Sequence, residues 1–215
     1  TVRFVSGVTP GSASDTMARI LAEKLSTILG QPVIVENRLG AGGLVGAKFV
    51  ATQEPDGHYV MMYASAFTVS TLLNPGLDPK DLVPVATVAT IPTVLITPPG
   101  KYKTAAEFVA AAKAQPGKLV CATAGVGSAT HMALERFRFS AGFEVLNVHT
   151  KGAPDALTEV IAGRADCYFA LVFQAQKMRD AGKVVALAVS GPKRTALMPE
   201  LATTVELGYP NSDYN

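Results

Sequence analysis

The sequence predicts an α/β protein with mostly parallel sheets, arranged as two lobes around a cleft. Three observations carry this expectation. Short β-branched apolar runs alternate along the whole chain with segments whose apolar residues recur every three or four positions, the pattern of strands joined by helical crossovers. The run at 165–172 is almost continuously apolar, which suits a strand buried on both faces of a parallel sheet. Pro98-Pro99-Gly100 then interrupts the pattern. It places a lobe boundary there, with residues 1–98 in the first lobe and 99–215 in the second.

Taken in order, residues 3–8 read as a strand. Residues 14–29 read as an amphipathic helix with Met17, Ile20, Leu21, Leu25 and Ile28 on one face, ended by Gly30 and Pro32. A β-branched strand at 32–37 leads into the glycine cluster Gly40-Ala41-Gly42-Gly43-Leu44-Val45-Gly46, and the segment 44–52 reads as a helix. After the turn Pro55-Asp56-Gly57, a strand at 58–63 runs into Ala64-Ser65-Ala66-Phe67-Thr68. Residues 83–89 and 93–97 read as strands separated by Pro92. In the second lobe, Thr104 and Glu107 stand in capping-box register, with Phe108, Val109 and Ala112 facing inward. Strands follow at 118–123, 143–149, 165–172 and 184–190, and helices at 129–141, 155–162 and 174–181. Thr203 and Glu206 repeat the capping-box spacing.

Composition limits the function classes. The 215 residues are 48% hydrophobic and 17% charged, with a net charge of +2, enough apolar material for a sizeable core. Lys and Arg are scattered, so no basic stripe argues for nucleic acid, and a small anion is the more natural partner. The longest uninterrupted apolar run, Cys167 to Phe173, is far short of a membrane span. The two cysteines, Cys121 and Cys167, fall in predicted strands, where a buried free thiol behaves as a small hydrophobe. Whether they pair is left open, because spacing alone does not bring their Cα atoms within bonding range.

Two stretches stand out as sites. Thr9-Pro10-Gly11-Ser12-Ala13-Ser14-Asp15 joins the first strand to the first helix, and Ala124-Gly125-Val126-Gly127-Ser128-Ala129-Thr130-His131 does the same later. Small residues leave the backbone accessible, and the helix that follows presents unpaired N–H groups and a partial positive charge. Each is a candidate seat for a carboxylate or phosphate. Together they predict a ligand held from two sides, although such turns also serve simply to cap helices. The end of the 58–63 strand is a third candidate wall of the cleft.

Catalytic parts are missing. Ser128 and His131 share one helix start without a G-x-S-x-G elbow, so His131 reads as a ligand contact or a loop cap. His58 and His149 stand at no metal-ligand spacing, Asp15 reads as dipole complement, and no cofactor is expected. The glycine cluster fails the dinucleotide fingerprint because Val45 occupies the sixth position, so its glycines are expected to shape a turn and admit close helix packing. Alternatives are an effector-sensing domain, which would follow a helix-turn-helix, and a nucleotide-dependent enzyme, which would need a phosphate loop.

The order Pro10-Gly11-Ser12-Ala13-Ser14-Asp15, Gly30-Gln31-Pro32-Val33-Ile34-Val35-Glu36-Asn37-Arg38, Gly40-Ala41-Gly42-Gly43, Pro55-Asp56-Gly57, Pro116-Gly117-Lys118-Leu119, Gly125-Val126-Gly127-Ser128 with His131, and Lys151-Gly152-Ala153 resembles the Bug family of periplasmic solute receptors of tripartite tricarboxylate transporters. The resemblance continues through Ala186-Leu187-Ala188-Val189 and Lys193-Arg194. It implies a type II periplasmic-binding fold closing by hinge motion over a small carboxylate or aromatic acid, with membrane permease subunits as partners, a periplasmic location and no direct membrane insertion. The ligand-binding positions it implies are Pro10, Gly11, Ser12, Ser14, Asp15, Ser65, Ala66, Thr68, Gly125, Gly127, Ser128, Thr130, His131, Thr150 and Ala170. Departures from the family pattern at Ser12, Thr150 and 170–173 imply a cleft less polar at its far end, and further segments are expected beyond Asn215.

Overall fold

A computed structural model of the chain describes residues 1–40, 43–64, 69, 71–72 and 76–214. It divides into two compact units, Thr1–Ala86 and Thr87–Asn215.

In the first unit, strands β1 (Val2–Ser6), β2 (Val33–Asn37) and β3 (Tyr59–Met62) form a parallel sheet in the order β2-β1-β3. Helix α1 (Ala13–Leu29) starts at Ser12, whose hydroxyl accepts from the Asp15 amide, and stops at Gly30 with φ 64°, the left-handed turn that favours glycine. Its buried stripe is narrower than the periodicity predicts. Ala18 and Ala22 are fully inside, with Leu21 and Leu25 partly covered against Phe4 and Val33, whereas Ile20 and Ile28 are 51% and 75% exposed. Two alanines one turn apart let the helix sit close on the sheet, and 100° per residue carries Ile20 to the opposite side.

Helix α2 (Leu44–Ala51) packs against β1 and β3 through glycine. A Cβ on Gly7 would stand 2.7 Å from the Gly43 Cα, and one on Gly46 would stand 3.2 Å from the Arg38 carbonyl oxygen. The glycines therefore serve the close packing expected of them. Residues 83–92 form no strand, contrary to the β-branched reading of 83–89, and Val83 and Val85 are exposed. Propensity without a partner ladder does not make a strand.

In the second unit the strands are β4 (Thr93–Thr97), β5 (Val120–Thr123), β6 (Leu146–His149), β7 (Cys167–Leu171) and β8 (Val185–Val189), in the order β6-β5-β7-β4-β8. Strand β5 is parallel to β6 and β7, while β4 runs antiparallel to both β7 and β8. Because β4 is hydrogen-bonded into this sheet, the division falls at Ala86 and Thr87 rather than after residue 98. Helices α3 (Ala105–Ala114) and α4 (Ala129–Ala141) cover one face over Phe108, Phe137, Phe143 and Phe169. Helices α5 (Ala153–Ile161) and α6 (Val172–Asp180) cover the other over Val94, Ile96, Tyr168 and Ala170. The Thr203 and Glu206 capping box forms, each side chain accepting from the other's amide, but it closes a single turn.

Cys121 and Cys167 are directly opposed on β5 and β7, with Cα atoms 4.6 Å apart, and form a disulfide. This register, which no spacing in the sequence expresses, answers the question of pairing that the sequence leaves open. Both residues are fully buried. Replacing them together by alanine is expected to lower stability by about 2–5 kcal/mol, the usual cost of losing a native cross-link. Urea denaturation of the two proteins measures it, and an unchanged midpoint would show the staple to be energetically idle.

Candidate functional site

The two strand-to-helix turns are built on one plan. In the first unit, Ser12 caps α1, and the Asp15 carboxylate folds back to accept from the Gly11 amide at 2.9 Å. That carboxylate is buried. It also accepts from Arg19 Nε at 2.9 Å and from Asn37 Nδ2 at 2.8 Å, and Asn37 further donates to the Val8 carbonyl at 3.1 Å. Asn37 is the last residue of β2, paired in register with Ser6 of β1, so the neighbouring strand end braces the turn. The amide of Ser14 has no acceptor among the described residues. Ser14 itself is half-buried.

In the second unit, Ser128 caps α4 by accepting from the His131 amide at 3.2 Å. The Thr130 hydroxyl accepts from the Ala124 amide at 2.9 Å and lies 3.1 Å from Ser128 Oγ. The His131 ring takes the part Asp15 plays in the other turn, with Nδ1 accepting from the Gly127 amide at 3.0 Å. His149, the last residue of β6 and in register with Thr123, stacks edge-on against His131 at 4.8 Å and holds the Thr123 hydroxyl at 2.7 Å. Thr150 bonds the carbonyls of Thr123 and Gly152 at 3.0 and 2.9 Å. The first-turn amides of Ala129 and Thr130 are the ones without an acceptor among the described residues.

Electrostatics separate the two turns. Burial pushes the Asp15 carboxyl upward, but Arg19, the Gly11 amide and Asn37 together hold it down at about 2, so it is fully ionised and fully occupied. Burial lowers the His131 pKa, and the neighbouring His149 lowers it further. Glu135, one turn along α4, is engaged by Arg138 at 2.6 Å and Asn147 at 2.7 Å. The buried Tyr168 hydroxyl lies within reach of Thr130 but makes no hydrogen bond of ordinary geometry among the described residues.

The structure gathers Pro10, Gly11, Ser12, Ser14 and Asp15 into one turn and Gly125, Gly127, Ser128, Thr130, His131 and Thr150 around the other. It also reassigns some of them. Gly11 and Gly127 spend their amides on Asp15 and His131, so these two glycines shape the turns, and the amides without an acceptor among the described residues lie just after each cap. Asp15 is a brace, not an exposed contact. Ala170 is fully buried against Val94, its partner across the β4–β7 ladder, and so does not line an open wall. The residue faces the α5 and α6 side of the sheet, where the core closes over it. Ser65, Ala66 and Thr68 lie outside the described residues. The bracing residues Asn37 and His149 were not singled out as site residues from the sequence, although each ends a strand next to a seat-bearing strand. Among the described residues, no group of His, Cys, Asp and Glu could hold a metal ion, and no helix is long and apolar enough to cross a membrane.

Comparison with known proteins adds to this geometry. A family model described as the tripartite tricarboxylate transporter family receptor matches residues 17–215. BugT of Bordetella pertussis is 33% identical over 215 residues, covering 97% of this chain and 66% of BugT. The chain thus spans slightly less than two thirds of the length of such relatives. Among solved structures, Rpa4515 of Rhodopseudomonas palustris with adipate superposes with a TM-score of 0.88 at 26% identity, covering 99% of this chain and 73% of that one. MatC of the same organism with bound malate gives 0.88 at 27% identity, with 99% and 74% covered.

The displacement of the Asp15 carboxyl from 3.8 to about 2 corresponds to about 2 kcal/mol. Because the folded carboxyl titrates below its unfolded value, this stability is complete above the unfolded pKa of about 4 and is lost as pH falls through about 2. Asp15→Asn is therefore expected to be less stable by at least that amount near neutrality, with the gap narrowing in acid. Urea melts of both proteins from about pH 7 to pH 2 check this. A gap independent of pH would mean that the charge of Asp15 does not brace the turn.

Proposed function

The chain belongs to the tripartite tricarboxylate transporter receptor family, and from that membership we propose that it captures a small carboxylate outside the cytoplasm and presents it to membrane permease subunits. The match of the family model across 17–215 carries the reading. Geometry supports it independently of ancestry. Each unit offers one strand-to-helix turn with free amides at a helix N-terminus, and among the described residues neither turn adds a lysine or arginine to the free donors. Seats of this kind favour a carboxylate through backbone dipoles. Relatives with bound adipate and malate are consistent with a ligand of the dicarboxylate class.

A periplasmic location is supported by the Cys121–Cys167 disulfide, a bond that persists in oxidising compartments. The expectation of an apolar far end rested partly on Ala170, which the core buries. A dicarboxylate is therefore the leading class, with aromatic monoacids as the second.

Thermal unfolding against mono-, di- and tricarboxylates, aromatic acids and the corresponding amides tests the proposal. A true ligand at about a hundred times its dissociation constant adds roughly 2.7 kcal/mol, on the order of 5–10 °C for a chain of this size. The amide of the same molecule is expected to give no shift. A chain that unfolds cooperatively yet responds to no carboxylate overturns the reading.

A further inference from the structure

The conformation of the second seat hangs on one imidazole. His131 closes the turn twice, its backbone amide donating to Ser128 Oγ and its ring Nδ1 accepting from the Gly127 amide at 3.0 Å. Gly127 sits at φ 74°, so the amide is presented from a left-handed residue that few side chains tolerate. A ring nitrogen that accepts a hydrogen bond carries no proton, which makes His131 a neutral ring with its hydrogen on Nε2. Protonation would place a second N–H on Nδ1, pointing at the N–H of Gly127. Acceptor and donor would become two donors, and the turn would have to open.

The groups facing the ring come from two elements besides the turn itself. Strand β6 brings His149, edge-on at 4.8 Å. Helix α4 brings Glu135, whose Oε1 is 3.8 Å from Nε2, and Arg138, which engages that same carboxylate. Burial, His149 and Arg138 all disfavour the charged ring, and Glu135 alone favours it. The ring is thereby kept neutral through the neutral pH range and gains a proton only on acidification.

We propose that His131 is a positioning residue whose neutral ring holds the 125–128 turn, and with it the free amides of Ala129 and Thr130, in the carboxylate-accepting arrangement, so that acidification releases the ligand. The inference rests on the receptor reading and deepens it. Binding selects the neutral ring, so affinity is complete above the titration of His131 and falls by up to about tenfold per pH unit below it. A His131 that instead touched the carboxylate directly would give the opposite slope, since a protonated ring adds a charge that holds the anion.

Calorimetric titration of malate and adipate into the wild type, His131→Asn and His131→Leu, from about pH 8 to pH 5, separates these cases. An asparagine Oδ1 can stand where Nδ1 stands, accepts from Gly127 and does not titrate. The Asn variant is expected to bind within a few-fold of wild type at the alkaline end and to lack the extra loss of affinity in acid. The Leu variant is expected to bind at least tenfold more weakly than wild type at the alkaline end, with the gap closing in acid as the wild-type ring gains its proton. Protonation of the ligand itself is common to all three proteins and cancels in the ratio of wild type to Asn. Identical pH profiles for those two proteins, or wild-type affinity that rises in acid relative to Asn, would overturn the role of His131 and leave the receptor reading standing. No binding of either dicarboxylate by any of the proteins at any pH would overturn the dicarboxylate assignment together with this inference. A ligand-free readout stands beside these: nitrogen spectra of the labelled rings are expected to show the Nε2–H form of His131 and a Gly127 amide that shifts with the same midpoint as the ring. A ring protonated on Nδ1 at neutral pH would overturn the inference outright.

Discussion

An α-helix begins with N–H groups that its own ladder does not satisfy, and the two seat-bearing turns are two solutions to that shortage. Each divides its donors in the same way. A serine hydroxyl takes one amide inside the helix, a second side chain reaches back to an amide in the turn, and among the described residues amides between them are left over. The leftover amides are held in place because the turn around them is fixed by the other bonds. A loose glycine loop would have to be ordered by the ligand, at a cost of roughly 1–2 kcal/mol for each residue immobilised.

The reaching side chain differs between the units, and the difference has a physical meaning. Asp15 is a permanent charge held by Arg19 and Asn37, so the first turn keeps its shape across the range in which most proteins are folded. His131 is a neutral acceptor among groups that mostly oppose its charging. One turn is therefore built as a fixed frame and the other as a frame that depends on a single proton. In both, the brace comes from the last residue of the neighbouring parallel strand, Asn37 opposite Ser6 and His149 opposite Thr123. Parallel pairing brings strand ends together on one side of a sheet, which is why ligands of α/β proteins gather there.

How far these features were legible from the sequence follows from the range of the interactions. Thr104 acts on an amide three residues away, and Gly30 ends its helix by its own backbone geometry, so local chemistry was enough to read them. The resemblance across the turns was readable for the same reason, since the motifs are contiguous. The bracing by Asn37 and His149, the pairing of Cys121 with Cys167 and the burial of Ala170 depend on which strands are neighbours and in what register. Residues 93–97 read correctly as a strand but not as a member of the second sheet, because antiparallel insertion between β7 and β8 leaves no mark in the strand's own residues. The apolar face of α1 was read too wide because spacing alone does not tell which of its flanks the sheet covers.

The seal over the Cys121–Cys167 bond constrains the order in which this molecule can be made. Both sulfur-bearing residues have no exposed surface, inside a cluster that includes Phe108, Phe137 and Phe169. An oxidant cannot reach them once those rings have closed, so the bond must form while the strands still open and shut. Thiols that met the oxidant only after folding was complete would stay reduced, however oxidising the surroundings.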